Sequence, residues 1–175
     1  MELLNELHLK KIFMKLRNNL LSNYKRVLPF GEYFTDRWEK SKFLEFGEGS
    51  SVYDSCYVYG DVKVGEHTWI GPFTILDGSG GLRIGSFCSI SAGVHIYTHD
   101  SVKWAISGGK TEYEYESTTI GNNCYIGPNT IISKGVFIGD RSIIGANSFV
   151  GSNLPAGSKA VGNPCRIISF IADSY

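Results

Sequence analysis

Residues 120–150 read IGNNCYIGPNTIISKGVFIGDRSIIGANSFV, and an aliphatic residue stands at every sixth position of this stretch. A small residue (Cys, Thr, Val or Ser) follows four places after each of the first five aliphatics, and glycine often follows at once. A six-residue unit is too short for a helical repeat, but it suits a very short strand followed by a corner. Three such units would close a triangular coil, with the aliphatic and small side chains pointing inward.

The same spacing extends back to Val52 and is interrupted at two places. Its fourteen aliphatic positions are Val52, Val58, Val64, Ile70, Leu76, Ile84, Ile90, Ile96, Ile120, Ile126, Ile132, Ile138, Ile144 and Val150. Two extra residues fall within LDGSGGLR (76–83), and residues 97–119 leave the pattern before it resumes in phase at Ile120. We predict an all-β stack of about six coils, roughly 28 Å long at strand spacing. Residues 97–119 are predicted to form an extruded loop.

The two ends of the stack are expected to be covered. Residues 1–45 carry apolar side chains such as Leu7, Leu16 and Leu20 at helical spacing, and they are predicted to form a helical capping segment. Lysines and arginines between the apolar positions leave contact with a membrane surface open as an alternative. At the other end, the apolar run in residues 167–170 is expected to cover the last core layer.

Composition excludes several classes of protein. Lys plus Arg number 17 and Asp plus Glu number 17, so no overall charge attracts nucleic acid or an acidic membrane. Cys56, Cys88, Cys124 and Cys165 are too scattered for paired zinc ligands and are expected to be small buried groups without disulfides. A start without the apolar run of a secretory signal favours a cytoplasmic location.

Four stretches resemble the hexapeptide-repeat acyltransferases. They are VGEHTWIGPFTILDGSG (64–80), IGSFCSISAGVHIYTHD (84–100), the stretch 120–150 and VGNPCR (161–166). The resemblance covers roughly residues 46–170 and is greatest to maltose, galactoside and surface-polysaccharide O-acetyltransferases. It implies a left-handed parallel β-helix, a homotrimer with sites between neighbouring chains, acetyl-CoA as the acyl donor and no metal. The implied acceptor is a sugar, free or linked to a nucleotide or lipid.

The resemblance also assigns candidate roles in catalysis and acceptor binding. It makes His99 the general base, because imidazole titrates near neutral pH and can remove a proton from a hydroxyl. Asp100 is expected to orient the ring of His99, and Asp77 to hold the acceptor sugar. Trp69 is expected to offer a stacking face for the sugar, and His95 to form part of the site wall.

For coenzyme A, the resemblance implies a groove along the later coils. The matching positions are Pro128, Ala146, Gly151 and Ser152, with Arg166 or Lys159 as the cation near the phosphates.

Other interpretations remain open at this point. The acceptor group could be an amine of an amino sugar. The γ-class carbonic anhydrases share the repeat and hold zinc with three histidines, and this repeat region contains His67, His95 and His99. A non-enzymatic solenoid would use the loop as a docking element, with Trp104, Tyr113 and Tyr115 as anchors.

Overall fold

A computed structural model describes residues 2–172 of the chain. Its helices are α1 (Glu2–Tyr24), a 3-10 turn (Gly31–Tyr33), α2 (Arg37–Phe43) and α3 (Val102–Ile106). Its strands are β1 (Ser51–Val52), β2 (Tyr57–Val64), β3 (Trp69–Ile70), β4 (Ile75–Ile84), β5 (Ser89–Ile90), β6 (His95–Ile96), β7 (His99–Asp100), β8 (Glu114–Tyr115), β9 (Thr118–Ile120), β10 (Tyr125–Ile126), β11 (Ile131–Ile132), β12 (Phe137–Ile138), β13 (Ile143–Ile144), β14 (Phe149–Val150), β15 (Ser158–Val161) and β16 (Arg166–Phe170).

The strands stack in three columns, one for each side of a left-handed parallel β-helix; the repeat predicts the stacked coils, and the family resemblance implies their left-handed form. The first side consists of β1, β3, β5, β10, β13 and β15, six parallel strands that mark six turns. The second side consists of the first halves of β2 and β4, then β6, β11 and β14. The third side consists of the second halves of β2 and β4, then β9 and β12.

The repeat aliphatics fill the interior of the helix. All fourteen are buried except Val58, which is half-buried. The small residues four places later also point inward, where hydroxyls donate to corner carbonyls, as Thr130 Oγ1 does to Gly145 O at 3.1 Å. The four cysteines are buried free thiols, as predicted. A period of six therefore puts each aliphatic side chain directly over that of the previous turn.

The two breaks in the repeat lie at the same corner, between the second and third sides. In the β2–β4 pair, Gly60 is opposite Gly78 but Val62 is opposite Leu82, so the two extra residues form a bulge in β4. The loop at residues 97–119 leaves from this corner one turn later. It holds α3 and the antiparallel hairpin β7–β8.

The bulge and the loop base are joined by hydrogen bonds. Gly80 N in the bulge donates to Thr98 Oγ1 at 2.8 Å, and Thr98 N donates to Asp77 Oδ2 at 2.9 Å; within the loop base, Glu116 N donates to Thr98 O at 2.9 Å. Two interruptions that are separate in the sequence thus make one local structure.

Helix α2 and the residues after it cover the first turn. The Asp36 side chain caps α2 by accepting from the backbone N–H groups of Trp38 and Glu39. Phe46 is buried in the core. The Lys40 ammonium donates to the carbonyl oxygens of Tyr53, Asp54 and Cys56 at 3.1, 2.8 and 3.1 Å, and so ties α2 to the first corner.

Helix α1 packs against the connector that follows it. The ring of Phe13 meets Tyr33 edge-on, with centroids 5.3 Å apart. Other apolar side chains of the helix, including Leu7 and Leu21, are exposed. The covering of the first turn predicted for residues 1–45 is therefore carried by α2 and not by the long helix.

No helix within the described part of the chain is long and apolar enough to cross a membrane.

The C-terminal strand differs from the prediction. β16 runs antiparallel to β15 and extends the sheet of the first side. Ile167, Ile168 and Phe170 are exposed, so the expectation that they cover the last core layer is wrong. Leu154 and Cys165 are buried there instead.

Candidate active site

His99 lies on β7 at the base of the loop, and its ring meets Asp77 across the corner. Nδ1 of His99 is 2.6 Å from Oδ2 of Asp77. The Asp77 carboxylate is fully buried and also accepts from the backbone N–H groups of Ser79 and Thr98, both at 2.9 Å. Burial by itself would raise the pKa of Asp77, but the hydrogen bonds from Ser79, Thr98 and His99 outweigh it and lower the pKa to about 2.

The ionised carboxylate fixes the tautomer of the imidazole. Because an ionised carboxylate can only accept hydrogen bonds, the hydrogen shared with Asp77 belongs to Nδ1 of His99. In the neutral ring, Nε2 then carries the lone pair that can accept a proton. A buried carboxylate that orients a histidine in this way makes it suitable as a general base.

The role predicted for Asp100 is wrong. Its carboxylate accepts from Val102 N at 3.0 Å and lies 3.2 Å from Lys134 Nζ. Successive side chains of a strand point to opposite faces, so Asp100 cannot face the same way as His99.

The predicted contact of Asp77 with an acceptor sugar is also wrong. The carboxylate has no exposed surface, and both of its oxygens accept hydrogen bonds within the chain. A sugar hydroxyl therefore cannot reach it, and Asp77 acts on His99 instead.

Two tyrosines of the loop lie parallel to the His99 ring. Their centroids lie 6.3 Å (Tyr113) and 5.8 Å (Tyr115) from it, with interplanar angles of 11° and 26°. Trp104 meets Tyr113 edge-on at 5.6 Å. We call these three residues the aromatic wall. The sequence interpretation used these three residues only as docking anchors, although the spacing of two between Tyr113 and Tyr115 is the strand period that places both on one face.

Lys134 is a charged residue near the site that sequence reasoning missed. Its ammonium lies 3.2 Å from Asp100 Oδ2 and 3.4 Å from Glu114 Oε2. The repeat itself contained the signal, because Ile132 pairs with Ile96 and the next corner therefore brings Lys134 under the loop base.

Trp69 and His95 point to different parts of the surface. Trp69 lies on the first side, where its ring meets Tyr53 edge-on at 6.2 Å. The chain does not bring it to Asp77, which lies beyond the next corner, so the shared acceptor site predicted for these two residues is not formed within one chain. His95 lies on the outer face of the second side, and its Nδ1 is 3.4 Å from the Tyr97 hydroxyl.

The three histidines of the zinc interpretation do not converge within one chain. His67 lies at the corner between the third and first sides and stacks on Phe87 at 5.1 Å. Among residues 2–172, the structure shows no group of three His, Cys, Asp or Glu side chains that could hold a metal ion.

Most residues predicted to contact coenzyme A border the second side. Pro128 and Ala146 lie at one corner on consecutive turns, where Gly127 and Gly145 bring their backbones close together. Gly151 and Ser152 lie at the opposite corner, the one that carries His99 two turns earlier.

The two predicted cations are placed differently. Arg166 begins β16 after a turn that is tied to the second side, since Phe149 N donates to Gly162 O at 2.9 Å. Lys159 lies on the first side next to Ile143, away from Gly151.

Comparisons with known proteins agree with this architecture. Residues 117–152 match the sequence profile of the family described as bacterial transferase hexapeptide (six repeats). The chain carries this repeat. No curated protein matches its sequence.

Solved structures share the fold. The hexapeptide-repeat containing acetyltransferase VCA0836 from Vibrio cholerae, in complex with acetyl coenzyme A, has a TM-score of 0.71 at 22% identity over 95% of this chain and 90% of that one. The N-acyltransferase AntD from Bacillus cereus, in complex with dTDP and 3-hydroxybutyryl-CoA, has a TM-score of 0.66 at 24% identity over 73% of this chain and 72% of that one. At these identities the likeness shows the fold alone.

Proposed function

We propose that the protein is an acetyltransferase that moves an acetyl group from acetyl-CoA to a sugar hydroxyl. The observation that carries this proposal is the His99–Asp77 pair, held where a hexapeptide solenoid opens into its loop. A solved structure with this fold supports acetyl-CoA as the acyl donor, because VCA0836 is an acetyltransferase bound to acetyl coenzyme A.

The site geometry gives each residue a task. Acetyl-CoA, when bound, supplies an acetyl group activated as a thioester. Nε2 of His99 accepts the proton of the acceptor hydroxyl as the oxygen attacks, and later gives this proton to the leaving sulfur. Asp77 keeps the ring in the required tautomer and stabilises its cationic form.

The second side offers a suitable surface for the pantetheine arm. Ile131 and Phe149 are exposed neighbours on β11 and β14. They lie between the corner of Pro128 and Ala146 and the corner of Gly151 and Ser152, so an extended apolar chain could cross them and end near His99. Arg166 would meet the phosphates at the end of this surface.

An amino group is the second candidate acceptor. AntD is an N-acyltransferase, and one of its structures contains dTDP-4-amino-4,6-dideoxyglucose. The same base would serve either chemistry, because an amine also loses a proton after attack. A role in polysaccharide or glycoconjugate synthesis and a cytoplasmic location complete the proposal, and the buried free cysteines support a reducing compartment.

Replacement of His99 tests the proposed chemistry. His99→Ala should lower kcat for acetyl transfer by about two to four powers of ten, because it removes a positioned proton acceptor. The affinity for coenzyme A should change little, since the proposed groove lies on later turns. His95→Ala is the matched control and should cost much less. Near-parental turnover by His99→Ala would overturn the proposal. Equal loss of activity and of bound zinc on replacing His67, His95 or His99 would favour a zinc enzyme like the γ-class carbonic anhydrases.

A panel of paired acceptors tests the substrate. Each pair contains one sugar, free or linked to a nucleotide or lipid, with either a hydroxyl or an amine at the same carbon, and release of the coenzyme A thiol is measured. Faster release with the hydroxyl member supports O-acetylation. Release only with the amine member would show N-acetylation instead. No release with any acceptor would contradict both O-acetylation and N-acetylation.

A further inference from the structure

The base of the extruded loop contains two carboxylates that face each other. Asp100 and Glu114 are direct cross-strand partners in β7–β8. Like charges placed directly opposite destabilise a strand pair, and a pair of two-residue strands has little stability of its own. Something outside the hairpin must therefore offset this repulsion.

The ammonium of Lys134 lies between the two carboxylates. It is 3.2 Å from Asp100 Oδ2 and 3.4 Å from Glu114 Oε2, so one cation serves both strands. The Lys134 side chain is 18% exposed, whereas Lys103, which pairs only with Glu114, is 63% exposed. Solvent and salt therefore screen the Lys134 pairs less. The hydrogen bond to Asp100 raises the pKa of Lys134, because it favours the charged form of the ammonium.

The hairpin that Lys134 holds includes Tyr115 of the aromatic wall, and Tyr113 directly precedes its second strand. The neighbouring cross-strand pair of β7–β8 is His99 with Tyr115. Asp77 fixes the His99 ring from the solenoid side, and Tyr113 and Tyr115 cover it from the loop side. Lys134 belongs to the solenoid, and its ammonium pairs with the two carboxylates of the hairpin, so we expect it to affect His99 and the tyrosines through the hairpin.

We propose that Lys134 is a positioning residue: by bridging Asp100 and Glu114 it closes the β7–β8 hairpin and holds the aromatic wall against the catalytic ring. The effect on turnover rests on the function proposed above, but the effect on the hairpin does not.

The test removes the charge of Lys134 and keeps its length. In Lys134→Met, amide hydrogen exchange within residues 97–119 should become at least tenfold faster, while exchange in the solenoid strands stays unchanged. kcat should fall about tenfold, with a smaller change in the Michaelis constant for acetyl-CoA. Lys134→Arg should restore both properties, because it restores a cation within reach of the same two carboxylates.

Two further variants separate this role from general stabilisation. Lys103→Met removes the same charge from the same cluster and should alter exchange and kcat less than twofold. Lys134→Met combined with Glu114→Gln removes the repulsion together with the cation, and should recover at least half of the lost protection in the loop. A purely structural lysine would give no such recovery.

Faster exchange confined to the loop, together with lower kcat and rescue by arginine, supports the proposal. Unchanged exchange, faster exchange throughout the chain, or an open hairpin with undiminished turnover would each overturn it. If the parent protein transfers no acetyl group to any acceptor, the proposed function fails, and the exchange data still decide whether Lys134 closes the hairpin.

Discussion

At the scale of single residues, the position of Asp77 shows what the site requires. An ionised carboxylate is costly to bury unless hydrogen bonds satisfy it. Here two backbone N–H groups and the His99 ring supply them, and the bulge in β4 turns Ser79 N toward the carboxylate. The two extra residues in the repeat therefore have a physical purpose, which is to build a polar pocket beside the base.

Asp77→Asn should separate the chemical role of the carboxylate from its role in stability. Turnover should fall by about two powers of ten, because a neutral amide neither enforces the tautomer of His99 nor stabilises its cation. The folded-state pKa of about 2 lies below the usual value of about 3.9, so ionised Asp77 stabilises the fold above about pH 4, and this contribution is lost as the pH falls towards 2.

Thermal melting across this pH range provides the measurement. The melting temperature of Asp77→Asn should lie below that of the parent at pH 6, and the difference should shrink as the pH is lowered to about 3. A difference that stays constant or grows in acid would show that Asp77 does not stabilise the fold through its charge.

The site residues differ in how far the sequence could predict them. His99 could be singled out because the repeat breaks beside it. Asp77 and Asp100 were given the wrong tasks, because the direction of a side chain at a bulge or a hairpin depends on which turns are stacked there. Lys134 was missed for a similar reason, since a lysine in a regular corner has no local feature that marks it.

At the scale of elements, the strands were predictable and the ends were less so. A period of six fixes which residues face the core in every turn, so the burial of the aliphatics from Val52 to Val150, apart from the half-buried Val58, followed directly. Helical spacing in α1 predicted a helix, but it could not show that α2 would cover the first turn of the β-helix. The apolar residues of β16 fit either a buried layer or an exposed edge strand, and hydrogen bonding to β15 decided for the edge.

Truncation should distinguish the two N-terminal helices. Deleting residues 1–28 removes α1, which packs on the connector, and should leave one cooperative melting transition with a melting temperature a few degrees lower. Deleting residues 1–46 also removes Phe46, which exposes Val52, and Lys40, whose ammonium binds three carbonyl oxygens of the first corner. This longer deletion should cause aggregation or loss of cooperative melting, measured by calorimetry. Equal stability of both truncations would show that the first turn needs no cover.

At the scale of the whole molecule, the proposed donor surface is open on one side. One chain supplies the floor of this surface, with Ile131 and Phe149 exposed, and supplies His99 at its edge. Exposed apolar strips of this kind are typical of surfaces that another chain or a ligand covers. We propose that neighbouring copies provide the opposite wall in a homotrimer, the assembly that the family resemblance implies.

Light scattering should therefore give a particle of three times the chain mass of 19.3 kDa at micromolar concentration. Because the second wall of the site comes from another copy, specific activity should fall when dilution dissociates the trimer and should return on reconcentration. Sedimentation measured over the same dilution series is the control that links activity to assembly. A monomer that keeps its full specific activity at all concentrations would show that one chain holds the complete site, and the aromatic wall would then have to enclose the acceptor alone.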